Sequence, residues 1–355
     1  MPATCELRSL DLSVTLDAVK AHLQGFIKDG LVTVIGLGHS ASLGLPTMPA
    51  LADRLRAEMP PLLQGAEVIE WQAVEKALDE GRHLEPALDS VPHDSPVIDK
   101  IIEVAANSIA TAESAAITRI SKEPGSFPLT RLIEKIGFNG KAQIITTNYD
   151  RLIEMAAEMA GLALDTGFVG AHQGLYDIER SRGALRATYI RGRRKLKAVY
   201  RPHVVLAKPH GSLDWYQSPA GPIRSPYPLD LPRLMITPGE SKYRHGYEQP
   251  FDHHIAVANE AIDGASAVLA IGFGFNDPHL QTHLVPLIER GLPTLILTCN
   301  LTDAATDLVA RCPNVCALDR VEPNGGTRVQ WDGNTWDFPD THIWQLDDFM
   351  NEVLM

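Results

Sequence analysis

Leu31-Val32-Thr33-Val34-Ile35-Gly36-Leu37-Gly38-His39-Ser40 decides how this chain folds. Its first five residues form an unbroken aliphatic and β-branched run, the composition of a strand buried on both faces, and the run stops at a glycine. The preceding stretch, Leu16 to Phe26, has its apolar residues at helical spacing. Working outward, runs of the same kind occur at Ala142 to Thr146, Ala267 to Ile271 and Thr294 to Thr298, with a weaker one at Val315 to Leu318. Helical patterns fill the intervals at Leu152 to Ala160, His279 to Glu289 and Thr302 to Ala310. Buried strands alternating with helices predict an α/β fold: a mostly parallel sheet with helices on both faces. In such a sheet the ligand crevice lies beyond the carboxyl ends of the strands.

Two stretches interrupt the alternation. From about 60 to 123 the chain reads as helices alone, clearest at Val68 to Leu78 and Ile98 to Ile120, and is expected to form a helical insert. From about 161 to 232 the pattern is irregular and rich in arginine, proline and glycine, which predicts an accessory region beside the crevice. Within it, Arg180 to Arg201 carries nine Lys or Arg and no acid, and reads as a basic hairpin with a charged tip. Such a tip is either simply solvated or touches a partner or nucleic acid. The last stretch, 343–355, reads as a short amphipathic helix that docks on its own core or on a neighbour. With no internal repeat and no low-complexity linker, 1–355 is expected to be a single domain.

Composition mainly excludes. A chain of 355 residues with a formal charge of −12 does not grip nucleic acid with its whole surface, which leaves at most a local or indirect contact at Arg180 to Arg201. Met1 to Ser13 lacks a basic stretch leading into an apolar run, and nothing reaches the roughly 18 apolar residues of a membrane span. A cytoplasmic protein with no membrane partner is expected. Cys5, Cys299, Cys312 and Cys316 are scattered, so no zinc module and no metal are expected, only buried or half-buried thiols in a reducing compartment.

Four fragments carry chemistry. Gly36-x-Gly38-x-x-Ala41 after a strand fits a turn that lets backbone N–H groups approach a pyrophosphate, or a plain tight turn. The acidic residue about 20 positions on that would complete a dehydrogenase pattern is missing, because Asp53 falls in a helical stretch. His39 beside the turn suits a solvent-facing position or a phosphate contact. Thr147, Asn148 and Asp150 lie at a strand exit, where Asn148 can cap the next helix or hold a ribose hydroxyl and a water, and Asp150 can accept from a carboxamide. His210, within Lys208-Pro209-His210-Gly211-Ser212, has a side chain suited to general-base work near neutral pH. Gly272, Asn276 and Asp277 end a fourth strand, with helix capping by Asp277 as the simpler role.

Together, GLGHSASLGLP, TTNYDRLIE, KPHGSLDW and IGFGFNDPHL resemble the motifs of the SIR2 (sirtuin-like) family, and more closely its bacterial SIR2-like NADase branch. The resemblance implies a Rossmann-like sheet and NAD+ as substrate. By the same resemblance Gly36, Gly38 and Ser40 contact phosphates, Asn148 positions the nicotinamide ribose with Thr147 beside it, Asp150 meets the carboxamide and His210 is the catalytic base. Gly272, Asn276 and Asp277 would lie toward the adenosine half. Protein-deacetylating members carry a four-cysteine zinc ribbon that this sequence lacks, so water is the expected acceptor, giving nicotinamide and ADP-ribose. The resemblance further implies antiviral defence by NAD depletion, gated by homo-oligomer assembly and a HerA-type ATPase or similar partner. An NAD-dependent deacylase or ADP-ribosyltransferase, and a non-catalytic NAD or ADP-ribose sensor, remain open alternatives.

Overall fold

The computed structural model describes residues 15–92, 94–137, 140–170, 172–191, 195–237, 248–323 and 325–354, without the side chains of 188–191 and 195–198. Cys5, Met1 to Ser13 and the tip of the basic hairpin at 192–194 lie outside the described residues.

Helix α1 (Leu16–Gln24), capped by the Thr15 hydroxyl, leads into strand β1 (Leu31–Ile35), whose residues are all buried. Leu31 and Ile35 join one apolar cluster while Val32 and Val34 join another, so β1 has a core on each face. Up to β2 (Lys141–Thr146) the described elements are helices and two 3₁₀ turns: α2 (Leu37–Ser42), α3 (Met48–Glu58), α4 (Ala66–Asp79), α5 (Leu84–Leu88), α6 (Pro96–Lys122) and α7 (Pro128–Gly137). The helical layer thus begins earlier and ends later than the insert expected at 60–123. Asp53 lies inside α3.

Next come α8 (Leu152–Met159), β3 (Ala163–Asp165), β4 (Phe168–Val169), β5 (Gly174–Tyr176), α9 (Ile178–Ala184), β6 (Arg186–Arg191), β7 (Lys195–Tyr200), β8 (His203–Ala207), β9 (Gly211–Ser218), β10 (Gly221–Arg224) and β11 (Arg233–Met235). The chain closes with α10 (Phe251–Asp263), β12 (Ala267–Ile271), α11 (Pro278–Glu289), β13 (Thr294–Leu297), α12 (Asp303–Arg311), β14 (Val315–Arg320), β15 (Thr327–Trp331), β16 (Asn334–Phe338) and α13 (Leu346–Glu352).

Nine strands form one sheet in the order β16-β15-β14-β13-β12-β1-β2-β8-β3, parallel from β14 to β3. Its helices divide between the faces. α1, α3 to α8 and α13 contribute to the first apolar cluster, and α10, α11 and α12 to the second. This is the Rossmann-like arrangement. Strand β1 has β2 on one side and β12 on the other, so it marks the point where strand order reverses and the carboxyl ends diverge.

The region expected to be irregular, 161–232, is better ordered than its sequence suggests. β3 and β8 extend the parallel sheet, β4, β5, β9 and β10 build a separate antiparallel sheet with β11 just beyond the region, and β6 with β7 form the expected hairpin. Its strands are short and interrupted by glycine and proline, which hides any period-two pattern. The antiparallel β15–β16 ribbon on the sheet edge was likewise not expected. Helix α13 docks on its own core: Gln24 Nε2 donates to Val353 O at 2.6 Å, Lys20 pairs with Glu352, and Arg131 donates to Asn351. Cys312 and Cys316 are core residues, whereas Cys299 is exposed rather than buried. No helix among the described residues is long and apolar enough to cross a membrane.

The exits of β1 and β12 are in backbone contact. Gly36 N–H donates to Ile271 O and Gly38 N–H to Gly272 O, both at 2.9 Å. A Cβ at Gly36 would sit 2.4 Å from Gly272 O, and one at Gly272, where φ is +57°, would sit 2.3 Å from His39 N. These glycines are needed for close approach and, at Gly272, for a left-handed backbone. Gly272→Ala is therefore expected to lower unfolding stability by about 3 kcal/mol, combining left-handed strain with overpacking. Urea denaturation measures it, and a loss well under about 1 kcal/mol would mean that the two exits can part freely.

Candidate active site

Beyond the carboxyl ends of β1, β2, β8, β12 and β13 lies a cleft of about 560 Å³. Gly36, Thr147, Asn148, Asp150, His210, Gly272, Asn276 and Asp277 all line it. Gly38 and Ser40, the other two residues expected there, do not: Gly38 packs on Gly272, and Ser40 is turned to its neighbours in the chain of contacts described next.

Asn148 does not cap α8. Both protons of its amide nitrogen are engaged, with Nδ2 donating to Gly36 O at 3.0 Å and to Ser40 Oγ at 2.8 Å. Ser40 Oγ in turn donates to Asp150 Oδ2 at 2.7 Å, and Asp150 Oδ1 accepts from Leu152 N at the start of α8. Beneath them Thr146 Oγ1 accepts from Asn148 N and donates to Ile35 O. The Gly36 carbonyl can only accept, which fixes the orientation of the Asn148 amide and leaves Oδ1 for a ligand hydroxyl or water. Burial pushes the Asp150 carboxyl up, opposed by the charge of Lys208 and the Ser40 hydrogen bond.

His210 faces this group from the exit of β8. Its Nε2 lies 3.0 Å from Asp277 Oδ2, and both side chains are almost wholly buried. Asp277 also caps α11 by accepting from Leu280 N at 3.1 Å, so the capping role expected of it holds. The side chain is directed to the histidine as well, a contact the sequence did not indicate. Asn276 is exposed at the rim.

Lys208 is the main residue that sequence reasoning missed. It is fully buried, and its Nζ donates to Asp150 O at 2.6 Å, Ser212 Oγ at 2.9 Å and Glu154 Oε1 at 3.0 Å. It thereby ties the loop carrying Asn148 to the turn carrying His210. Burial pushes the Glu154 carboxyl up, and Lys208 pulls it the other way. On the far side of the loop, Glu113 of α6 is fully buried and receives both the Arg151 guanidinium and the Arg151 backbone N–H. A lysine closing an apolar strand run and an acid in an alanine-rich helix were the available signals.

The wall opposite the strand exits is apolar. Leu45, Met48 and Leu51 come from the β1-to-α3 segment, and Leu84 and Ile109 from α5 and α6, with His83 and Glu85 among them. Leu45 falls within the GLGHSASLGLP motif, whereas no motif marked Leu84 or Ile109. His39 is not the solvent-facing loop residue expected. It lies in α2, is buried, and its Nε2 has no hydrogen-bond partner among the described residues. Burial pulls its pKa down to about 4. No group of three or more His, Cys, Asp or Glu among the described residues is arranged to hold a metal.

Residues 142–308 match the family described as SIR2-like domain. The matched stretch runs from β2 into α12 and includes Asn148, His210 and Asp277. A solved structure, "Structural Basis for the Mechanism and Regulation of Sir2 Enzymes", aligns at 13% identity over 83% of this chain and 90% of that chain, with a TM-score of 0.40. No curated protein matches the chain.

Removing one partner of a buried ion pair leaves the other charge without compensation, so Lys208→Met is expected to cost about 3–5 kcal/mol in unfolding free energy. Denaturant titration tests this, and a cost near zero would mean that the loop does not depend on the lysine. A second expectation concerns acid. His39 is neutral when folded and titrates near 6.5 when unfolded, so in this window the unfolded chain binds more protons and stability falls as pH drops from 6.5 toward about 4. His39→Gln should flatten that part of the stability profile by about 3 kcal/mol relative to the parent, as followed by melts across the window.

Proposed function

We propose that this protein hydrolyses NAD+ at the nicotinamide–ribose bond, releasing nicotinamide and ADP-ribose. The observation that carries this reading is the convergence of Asn148 and His210, from the exits of β2 and β8, in one cleft at the switch point of the sheet. A volume of about 560 Å³ falls within the usual range of small-molecule sites. The lining also suits such a substrate. Among the described residues Glu85, Asp150 and Asp277 bring carboxyl groups to the lining and no Lys or Arg does, which favours a cationic pyridinium. Gly36 and Leu37, at the amino end of α2, meet the cleft where the partial positive charge of a first helical turn suits a pyrophosphate.

In this mechanism the C1′–N bond breaks with its electron pair moving to the pyridine nitrogen, so nicotinamide leaves neutral and positive charge develops on the ribose. Asn148 Oδ1, held by the locked amide, accepts from a ribose hydroxyl or the attacking water and fixes its position. His210 takes the proton from the water as oxygen bonds to C1′. Preorganised dipoles around a site walled by Leu45, Leu51, Leu84 and Ile109 supply most of the rate, because few waters need to reorganise. We further propose that turnover is gated by assembly with copies of this chain or with an ATPase partner, in the setting of defence by NAD depletion.

Purified protein mixed with NAD+, alone and with candidate partners, should release nicotinamide without any acyl peptide. Asn148→Ala and His210→Ala should each lower turnover by about 100-fold or more while leaving the circular dichroism spectrum unchanged. Release that requires an acyl peptide would reassign the protein as a deacylase, and NAD+ binding without release in every condition as a sensor.

A further inference from the structure

Of the three carboxyl groups that the described residues bring to the cleft, two are built into the strand-exit wall. Asp150 accepts from Ser40 Oγ through Oδ2 and from Leu152 N through Oδ1, and burial pushes its carboxyl up. Asp277 commits Oδ1 to the cap of α11. The third, Glu85, comes from the opposite wall. It sits half-buried in the first turn of α5, between Leu84 and Pro86. That short helix is firmly placed, because Leu84, Ala87 and Leu88 are buried in the apolar cluster that also takes in Leu31 and Ile35 of β1. Two observations set Glu85 across from the loop that carries Asn148. Its neighbour Leu84 and Tyr149, the residue between Asn148 and Asp150, together line both the cleft and a small apolar hollow beside it. The Tyr149 hydroxyl, which donates to Ile236 O, is pushed up by burial first and then by the charges of Glu85 and Asp277. Glu85 thus stands within reach of charge interaction with the end of the cleft where Asn148 lies.

We propose that Glu85 is a specificity-determining residue, the carboxylate that selects the oxidised, positively charged nicotinamide ring of NAD+. The inference rests on the hydrolase reading above for its substrate and assigns part of that recognition to the helical layer. Attraction between opposite charges is weak in open water and grows where water is excluded. Apolar Leu51, Leu84 and Ile109, on the same wall as Glu85, provide that exclusion. NADH offers the same phosphates, riboses and adenine but a neutral dihydropyridine ring, so only the oxidised form gains from the carboxylate. Glu85 also separates substrate from product. As the C1′–N bond breaks, its electron pair cancels the ring charge, while water bonds to C1′ and gives its proton to His210. Nicotinamide is then neutral, and Glu85 no longer holds it. The positive charge that passes through the ribose stays close by, so the carboxylate contributes to binding about as much in the transition state as before it. Such a contact shows in KM and much less in kcat.

The test compares NAD+ and NADH binding by isothermal titration calorimetry in the full chain carrying His210→Ala, which holds turnover down, with Glu85 intact, Glu85→Gln or Glu85→Asp. With Glu85 intact, NAD+ should bind about 10-fold more tightly than NADH. Glu85→Gln should bring NAD+ down to the level of NADH and leave NADH unchanged, whereas Glu85→Asp, which keeps the sign of the charge, should retain most of the preference. With His210 intact, Glu85→Gln should raise KM for NAD+ by about 10-fold with kcat changed far less, and inhibition by added nicotinamide should not change. No preference for NAD+ with Glu85 intact, or an equal preference in Glu85→Gln, overturns the assignment. So does an equal loss for both dinucleotides, which would mark Glu85 as structural. If neither dinucleotide binds, the assignment and the hydrolase reading fall together. A preference that disappears in Glu85→Gln, with no nicotinamide released by the parent, sinks the hydrolase reading alone.

Discussion

Everything at the site depends on the backbone contact between the exits of β1 and β12. Gly36 and Gly38 lie against Ile271 and Gly272 so closely that their N–H groups bond across the gap and no side chain fits between. The contact brings two strand ends together at the point where neighbouring connections otherwise diverge, and it sets the position of the Gly36 carbonyl. That carbonyl holds the Asn148 amide. A steric constraint with no chemistry of its own thus aims the residue to which we assign the ribose.

Around that anchor the polar groups are organised in depth. Asn148 leans on Ser40, Ser40 on Asp150, and the backbone of Asp150 on Lys208, which is held in turn by Glu154 and Ser212. Glu113 secures the next residue, Arg151. In a low-dielectric interior each of these groups would be costly alone, and satisfying them together makes the loop rigid. The arrangement suits electrostatic work because the dipoles are in place before any ligand arrives. It also makes the loop intolerant of single changes, since every removal strands a buried partner.

The strands and most of the helices were legible because burial on both faces writes itself as unbroken apolar runs, as in Leu31 to Ile35 and Ala267 to Ile271. The exits were legible because glycine and asparagine stand out at the ends of such runs. The antiparallel sheet between 168 and 235 was not, since strands such as Phe168–Val169 and Arg233–Met235 are too short to show a period. The role of Gly38 was read as a phosphate contact, yet in this conformation its N–H is committed to Gly272. A glycine spared a side chain for a ligand and one spared it for another backbone look identical in sequence. Asp277 illustrates the same limit: its cap on α11 is local and readable, while its approach to His210 crosses two strands.

By itself the sequence determined the α/β alternation, the four polar strand exits and the residue types offered at each, because these follow from local periodicity and from which side chains can sit at a turn. Only the tertiary structure decided which of them meet. The order of strands places the exits of β2, β8 and β12 around that of β1, turns Ser40 toward Asn148 and Asp150, buries Lys208 beneath them and sets Asp277 against His210. Those contacts join residues up to hundreds of positions apart, and their energies come from desolvation and close packing, which exist only once both faces of the sheet are covered.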